Sequence, residues 1–264
     1  TQRGMRIPVE MVDTEFHRND VDAEWLKTYN TIEAVYDDAE AAWTDDAGAP
    51  LDAKVTSMIA MHRVNTIKRV LEASKVQAGV DRAKQWLAKT NENGDPYNIV
   101  MFVETKADRE IGRYRKSGAK QSDTLYSYPE IAEMMEEWRA EKANAEANDT
   151  RPPSAPFGDA IVSIAKAMYD HKVHFELPSV TDDIIAQLGG TDAVGVYTGA
   201  VTAASAKKSK ADFLAGKKRV LIATMAKGGT GLSLHDTVGN RPTVQVNINL
   251  PWVATGVAQV SGRV

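Results

Sequence analysis

A chain of 264 residues, 43% hydrophobic and 26% charged, has room for one large domain or two small ones and the balance of a globular protein. It has no cysteine, which excludes disulfides and thiolate zinc sites, and no apolar run reaches the roughly 18 residues of a membrane span. The net charge of −4 is uneven: residues 1–150 hold 20 basic and 28 acidic side chains, and residues 151–264 hold 12 and 8.

In chain order, Arg6-Ile7-Pro8-Val9-Glu10 reads as a short strand with an edge proline. Asp20 to Trp43 reads as a helix, because Trp25, Tyr29, Ile32, Val35 and Tyr36 recur at three- and four-residue spacing. Asp45 to Pro50 is a loop by composition. Residues 51–90 read as two helices. The first puts Ala53, Ala60, Val64, Ile67 and Leu71 on its apolar face, with Ile59 and Val70 at the edge. The second runs from Val76 to Leu87 and ends before the turn residues Asn91 to Pro96. Tyr97 to Val103 is apolar enough for a strand buried on both faces, breaking at Glu104-Thr105 before a helix near Lys106.

Residues 113–170 read as an insertion. It holds an Ala- and Glu-rich helix from Glu130 to Ala147 and a proline-stiffened segment from Asp149 to Pro156, either hinge or surface loop. Helices follow at Ile161 to Tyr169 and Thr181 to Leu188, then a strand at Val194 to Tyr197 that ends in Thr198-Gly199. A helix over Ala203 to Leu214, a strand over Arg219 to Thr224 and an alternating strand over Pro242 to Leu250 complete the pattern. Strands separated by helices predict an α/β domain with a parallel sheet. The expected division is a helical segment over 1–95 leading into a lobe over 96–264.

The chemistry-bearing motifs lie late in the chain. Lys227-Gly228-Gly229-Thr230-Gly231 follows a strand, and glycines let backbone N–H groups approach a phosphate or phosphodiester oxygen. An ordinary strand-to-loop turn is the alternative reading. No Gly-x-x-x-x-Gly-Lys-Ser/Thr loop occurs, so the chain lacks the usual cradle for ATP. Gln259-x-x-Gly262-Arg263 offers an arginine whose planar fork of donors suits transferring phosphoryl charge. Lys207, Lys208 and Lys210, and the run Lys217-Lys218-Arg219, could hold a nucleic-acid backbone or could form a solvated helix face. His171 and His174 have a spacing open to metal binding, but no third ligand is patterned near them, and no metal site is expected. Asp182-Asp183 reads as a helix N-terminal charge pair, and Trp252 as a packing anchor.

Taken in order, Ile99 to Thr105, Leu177-Pro178-x-x-x-Asp182, Tyr197-Thr198-Gly199, Phe213 to Val220, Gly229-Thr230-Gly231-x-Ser233-x-His235, Leu250-Pro251-Trp252 and Gln259-x-x-Gly262-Arg263 resemble the C-terminal helicase half of strawberry notch-type proteins. That family is a branch of superfamily 2 helicases with phage and bacterial relatives. The helical segment from Ile59 through Val76 resembles the stretch before its motif IV. The resemblance spans roughly residues 55–110 and 175–264, and residues 113–170 have no counterpart in it.

The resemblance implies a second RecA-like lobe of an ATP-dependent helicase or translocase, with nucleic acid, DNA by expectation, as the track. ATP and Mg²⁺ would be held mainly by a first lobe of the same polypeptide, since no Walker segment is present, whereas the stop of motif VI before its second arginine would favour the non-catalytic alternative. Arg263 would reach the γ-phosphate and Gln259 would position motif VI. Gly229, Gly231 and Gly262 would couple to the ATP site. Glu104, Thr105, Thr198, Gly199, Lys227, Gly228, Thr230 and His235 would face the nucleic acid. The fragment alone would hydrolyse little ATP. The expected setting is the cytoplasm of a bacterial or phage-infected cell, with no membrane partner. A non-catalytic helicase-like scaffold or nucleic-acid-binding module, in a phage or defence complex, is the alternative.

Overall fold

A computed structural model describes residues 22–104, 109–118, 124–228, 234 and 240–249. At its centre is a four-stranded, wholly parallel sheet built from β1 (Asn98–Val103), β4 (Val194–Tyr197), β5 (Val220–Thr224) and β6 (Thr243–Asn247), in the order β4-β5-β1-β6. Met101 of the central β1 stands opposite Ile222 of β5 on one side and Val246 of β6 on the other. All six β1 residues are buried, as a strand covered on both faces requires. The protein is therefore α/β, and its parallel sheet flanked by helices is consistent with a RecA-like arrangement.

Side-chain alternation divides the sheet into two faces. Ile99, Met101, Val103, Ile222, Val246 and Ile248 pack against the second half of α2 (Ala53–Leu87) and against α5 (Val180–Gln187). Val100, Phe102, Leu221 and Ala223 turn the other way, onto Phe213 of α7 (Ala203–Leu214) and onto Leu234. The one-turn α6 (Gly190–Ala193) leads into β4, and the β4-α7-β5 unit is a parallel crossover between neighbouring strands, which sets α7 antiparallel to both.

Beside the sheet lies a helical body. Helix α1 (Ala23–Ala41), the first half of α2 and α4 (Asp159–Asp170) bury Ile32, Val35, Tyr36, Ile59, Val70, Ile164 and Met168 together. Asp22 caps α1 by accepting from the Glu24 N–H at 2.8 Å, and Asp52 caps α2 by accepting from Lys54 N–H and Val55 N–H. A two-stranded antiparallel ribbon, β2 (Arg109–Ile111) with β3 (Phe175–Leu177), closes one side of this body. Helix α3 (Tyr128–Ala147) rests on α4 through Ile131, Met135 and Phe157.

The expected α2 face is displaced. Residues 53–87 form one unbroken 35-residue helix, not two, because nothing from Glu72 to Val76 disfavours helix. Its buried face is Val55, Ile59, Thr66, Val70 and Ala73, so Ile59 and Val70 are central, while Ala53, Ala60 and Val64 are exposed. Gly79 is what lets this helix lie close to the sheet, since a Cβ there would meet the Ile248 side chain.

Other expectations shift as well. Residues 109–111, where a helix starting near Lys106 would continue, form strand β2 instead, and β3 has no counterpart in the sequence reading. Three residues are too few for a periodic signal. The Asp149–Pro156 segment is held to α3 by the Trp138 indole N–H, which donates to the Pro153 carbonyl at 2.9 Å. The expected strand at Arg6–Glu10 lies outside the described residues.

Candidate functional site

In a parallel sheet all strand exits open on one edge, and side chains just beyond them converge there. Four exits are described. β1 leaves through Glu104, β4 through Thr198 and Gly199, and β5 through the one-turn helix α8 (Met225–Gly228). β6 leaves through Ile248 and Asn249. By sequence, β5 runs straight into the glycine-rich turn. The structure inserts α8 first, so Gly228 ends a helical turn and Lys227 sits within it.

The β4 and β5 exits are joined directly. The Lys227 ammonium donates to the Thr198 carbonyl at 2.9 Å and lies 5.0 Å from the centre of the Tyr197 ring, a cation–π distance. Thr198 is buried, and its hydroxyl accepts from the Ala200 N–H at 3.3 Å, which fixes the turn that carries the exposed Gly199. Predicted residues Thr198, Gly199, Lys227 and Gly228 are thus brought to neighbouring strand ends.

Glu104 lies at the next exit, that of β1, and has its own partners. Its carboxylate accepts from the Lys68 ammonium at 3.2 Å. Its backbone N–H donates to the carboxylate of Glu72, which is fully buried. At the far edge, the Lys75 ammonium donates to Asn249 Oδ1 at 2.9 Å. Lys68, Glu72 and Lys75 are spaced i, i+4, i+7 along α2, which puts them on one side of the helix, against two strand exits. Lys68, Glu72, Lys75 and Asn249 are site residues that no sequence motif marks. The signal available in the sequence is three charged side chains at helical spacing in the middle of α2, where its partner changes from the helical body to the sheet.

Of the two basic groups near the glycine-rich motif, one is misplaced for a phosphate role. Lys217-Lys218-Arg219 precedes β5, so it stands at the opposite, amino edge of the sheet. Lys218 donates to the Val194 carbonyl at 2.9 Å, and Arg219 donates to the Leu87 and Tyr97 carbonyls at 2.9 and 2.7 Å. Both side chains tie down strand entries. On α7, Lys208 pairs with Asp212 at 2.5 Å, which holds that carboxyl below its usual range, while Lys207 is exposed.

The two histidines are separated by their partners. His171 contacts Asp38 at 2.7 Å and His174 contacts Glu110 at 2.7 Å. Among the described residues no group of three or more His, Asp or Glu side chains is placed to hold a metal ion. Asp182 and Asp183 lie in the first turn of α5, where their charge suits the helix dipole. No helix among the described residues is long and apolar enough to cross a membrane. Thr105, Gly229, Thr230, Gly231, His235, Trp252, Gln259, Gly262 and Arg263 lie outside the described residues.

Comparison of the chain with protein-family models, with curated proteins and with solved structures finds no match.

Proposed function

We propose that this chain is the C-terminal motor lobe of an ATP-dependent nucleic-acid helicase or translocase, with DNA as the track. One observation carries the reading: Glu104, Thr198, Gly199 and Lys227, on three different segments of the sequence, stand at successive exits of one parallel sheet. Ligands of open α/β sheets bind outside that edge. The motif order of the C-terminal third adds to it.

In this reading the backbone of the strand runs along the carboxyl edge. Lys227 meets its phosphates, and the Thr198-Gly199 turn offers close backbone approach. Contacts of this kind position a nucleic acid without reading its sequence, so binding is sequence-tolerant and weakens as salt rises. The Lys227–Thr198 contact ties the β5 exit to the β4 exit, so displacement of one turn is felt by the other. ATP and Mg²⁺, when bound against a first lobe, would supply the hydrolysis chemistry. The contribution of this chain is Arg263, whose guanidinium would stabilise charge on the phosphoryl oxygens, with Gln259 orienting the segment that carries it.

The deciding experiment is nucleic-acid-stimulated ATP hydrolysis by the complete two-lobe polypeptide that the reading requires, with and without Arg263→Ala. Stimulation that collapses by about a thousandfold or more in the variant is the expected result. An unchanged rate removes Arg263 from the role. No hydrolysis by either protein favours a helicase-like scaffold.

A further inference from the structure

Lysines at a carboxyl edge differ in what neutralises them. Lys68 is paired with a carboxylate, Glu104. Lys227 and Lys75 are not: each ammonium is held by a neutral oxygen, the Thr198 carbonyl and Asn249 Oδ1 respectively, and no described carboxylate lies within 4.0 Å of either. Asn249 is more than nine-tenths buried, so it is a fixed post for Lys75, whose side chain is otherwise exposed. A carboxylate partner would cancel most of the charge presented to an incoming anion. A neutral acceptor orients the ammonium with one donor, and leaves its charge and two further donors free.

These two lysines stand at opposite margins of the sheet. Lys227 lies over Tyr197 of β4, and Lys75 lies at the exit of β6, three strand spacings away, or about 14 Å. A single phosphate cannot touch both, but a polyanion laid across the strand exits can.

We infer that Lys75, oriented by Asn249, is a second phosphate-binding post, and that a nucleic-acid backbone crosses the whole carboxyl edge from α8 to α2. This rests on the nucleic-acid reading above and extends it to residues outside the late motifs. Lys75 would touch a phosphate, while Asn249 would act only by holding Lys75.

The test is binding of a labelled oligodeoxynucleotide to the full chain across a salt series, with Lys75→Gln, Lys75→Arg, Asn249→Ala, Lys227→Gln and, as a control at the remote end of α2, Lys54→Gln. Lys75→Gln is expected to weaken low-salt binding about tenfold and to lower the log–log salt slope by about one, at an unchanged thermal midpoint. Lys75→Arg keeps the slope, Asn249→Ala weakens binding without lowering the slope, and Lys54→Gln changes neither. An unaltered Lys75→Gln overturns the inference. If Lys227→Gln still loses affinity in that case, the nucleic-acid reading stands without it. No binding by the parent chain overturns both. Displacement of the oligonucleotide by inorganic phosphate at equal phosphate concentration overturns the crossing polyanion, in favour of a site for one free phosphate.

Discussion

The sheet and the helical body are built on opposite terms, although α2 belongs to both. The sheet is held by apolar strands in register: β1 has Ile, Val, Met, Phe and Val buried in succession between two layers. The helical body is apolar at its centre but laced at its margin by charge. Arg63 of α2 reaches Glu33, Asp37 and Glu40 of α1 together, the Asp37 contact at 2.8 Å and the Glu40 contact at 3.4 Å. Desolvation alone would lower the Arg63 pKa, but the Glu33 and Asp37 carboxylates outweigh it and raise it. A packed sheet resists deformation and keeps its strand exits in place. The half-exposed ion pairs at the margin of the helical body add little to its apolar core and are sensitive to salt.

The strongest way to break this contrast is to open the sheet. Phe102 is fully buried against Phe213, Leu221 and Leu234. Phe102→Ala removes its contacts and leaves a cavity, with an expected loss of about 3–5 kcal/mol in urea unfolding. Because α2 runs through both regions, Trp86 beside the sheet and Trp43 beside the helical body should report one shared midpoint. Two midpoints would show that the regions unfold separately and that α2 does not bind them into one cooperative unit.

Next in size is Gly112, just after β2. It has a φ of +92°, and a Cβ there would run into the Val173 carbonyl, which is backbone and cannot swing away. Gly112→Ala is expected to cost about 1–3 kcal/mol and to loosen the β2–β3 ribbon while amide exchange in β1 and β5 stays slow. Uniform loosening would contradict a ribbon that belongs to the helical body alone. A smaller effect is expected from Tyr36→Phe, which removes the buried 2.8 Å hydrogen bond between the Tyr36 hydroxyl and Thr66 Oγ1 and leaves the threonine behind, at about 1–2 kcal/mol. A change under a few tenths would mean that Thr66 finds another partner.

How much of this the sequence shows depends on the same contrast. β4 and β5 are legible within a residue, and β6 is found but ends at Asn247 rather than Leu250, because strand runs bounded by turns give a clear period but a less certain end. The buried face of α2 is not, because its partner changes midway. Val55 and Ile59 face α1 and α4, but Val76, Val80 and Ala83 face the sheet, so no single stripe describes the helix. The site divides likewise. Thr198, Gly199 and Lys227 follow directly from strand ends read in sequence. Lys75 and Asn249, which are 174 residues apart, meet only because α2 lies against β6.

The finest test concerns the margin of the helical body. Glu110 of β2 stands directly opposite Glu176 of β3, an unfavourable like-charge pair. The hydrogen bond with His174 lowers the Glu110 pKa, desolvation opposes this, and the Arg113 charge adds to the lowering. A carboxyl with a depressed folded pKa contributes stability that is present above its ordinary value and lost as pH falls through the depressed one. Wild-type protein should therefore exceed Glu110→Gln in thermal midpoint near neutrality, with the gap closing as pH drops below the ordinary carboxylate range. Exposure keeps the gap small, and salt should shrink it. A gap that persisted unchanged in acid would mean that Glu110 acts by packing. The charge-laced margin would then extend to the α1–α2 contacts at Arg63 but not to the ribbon.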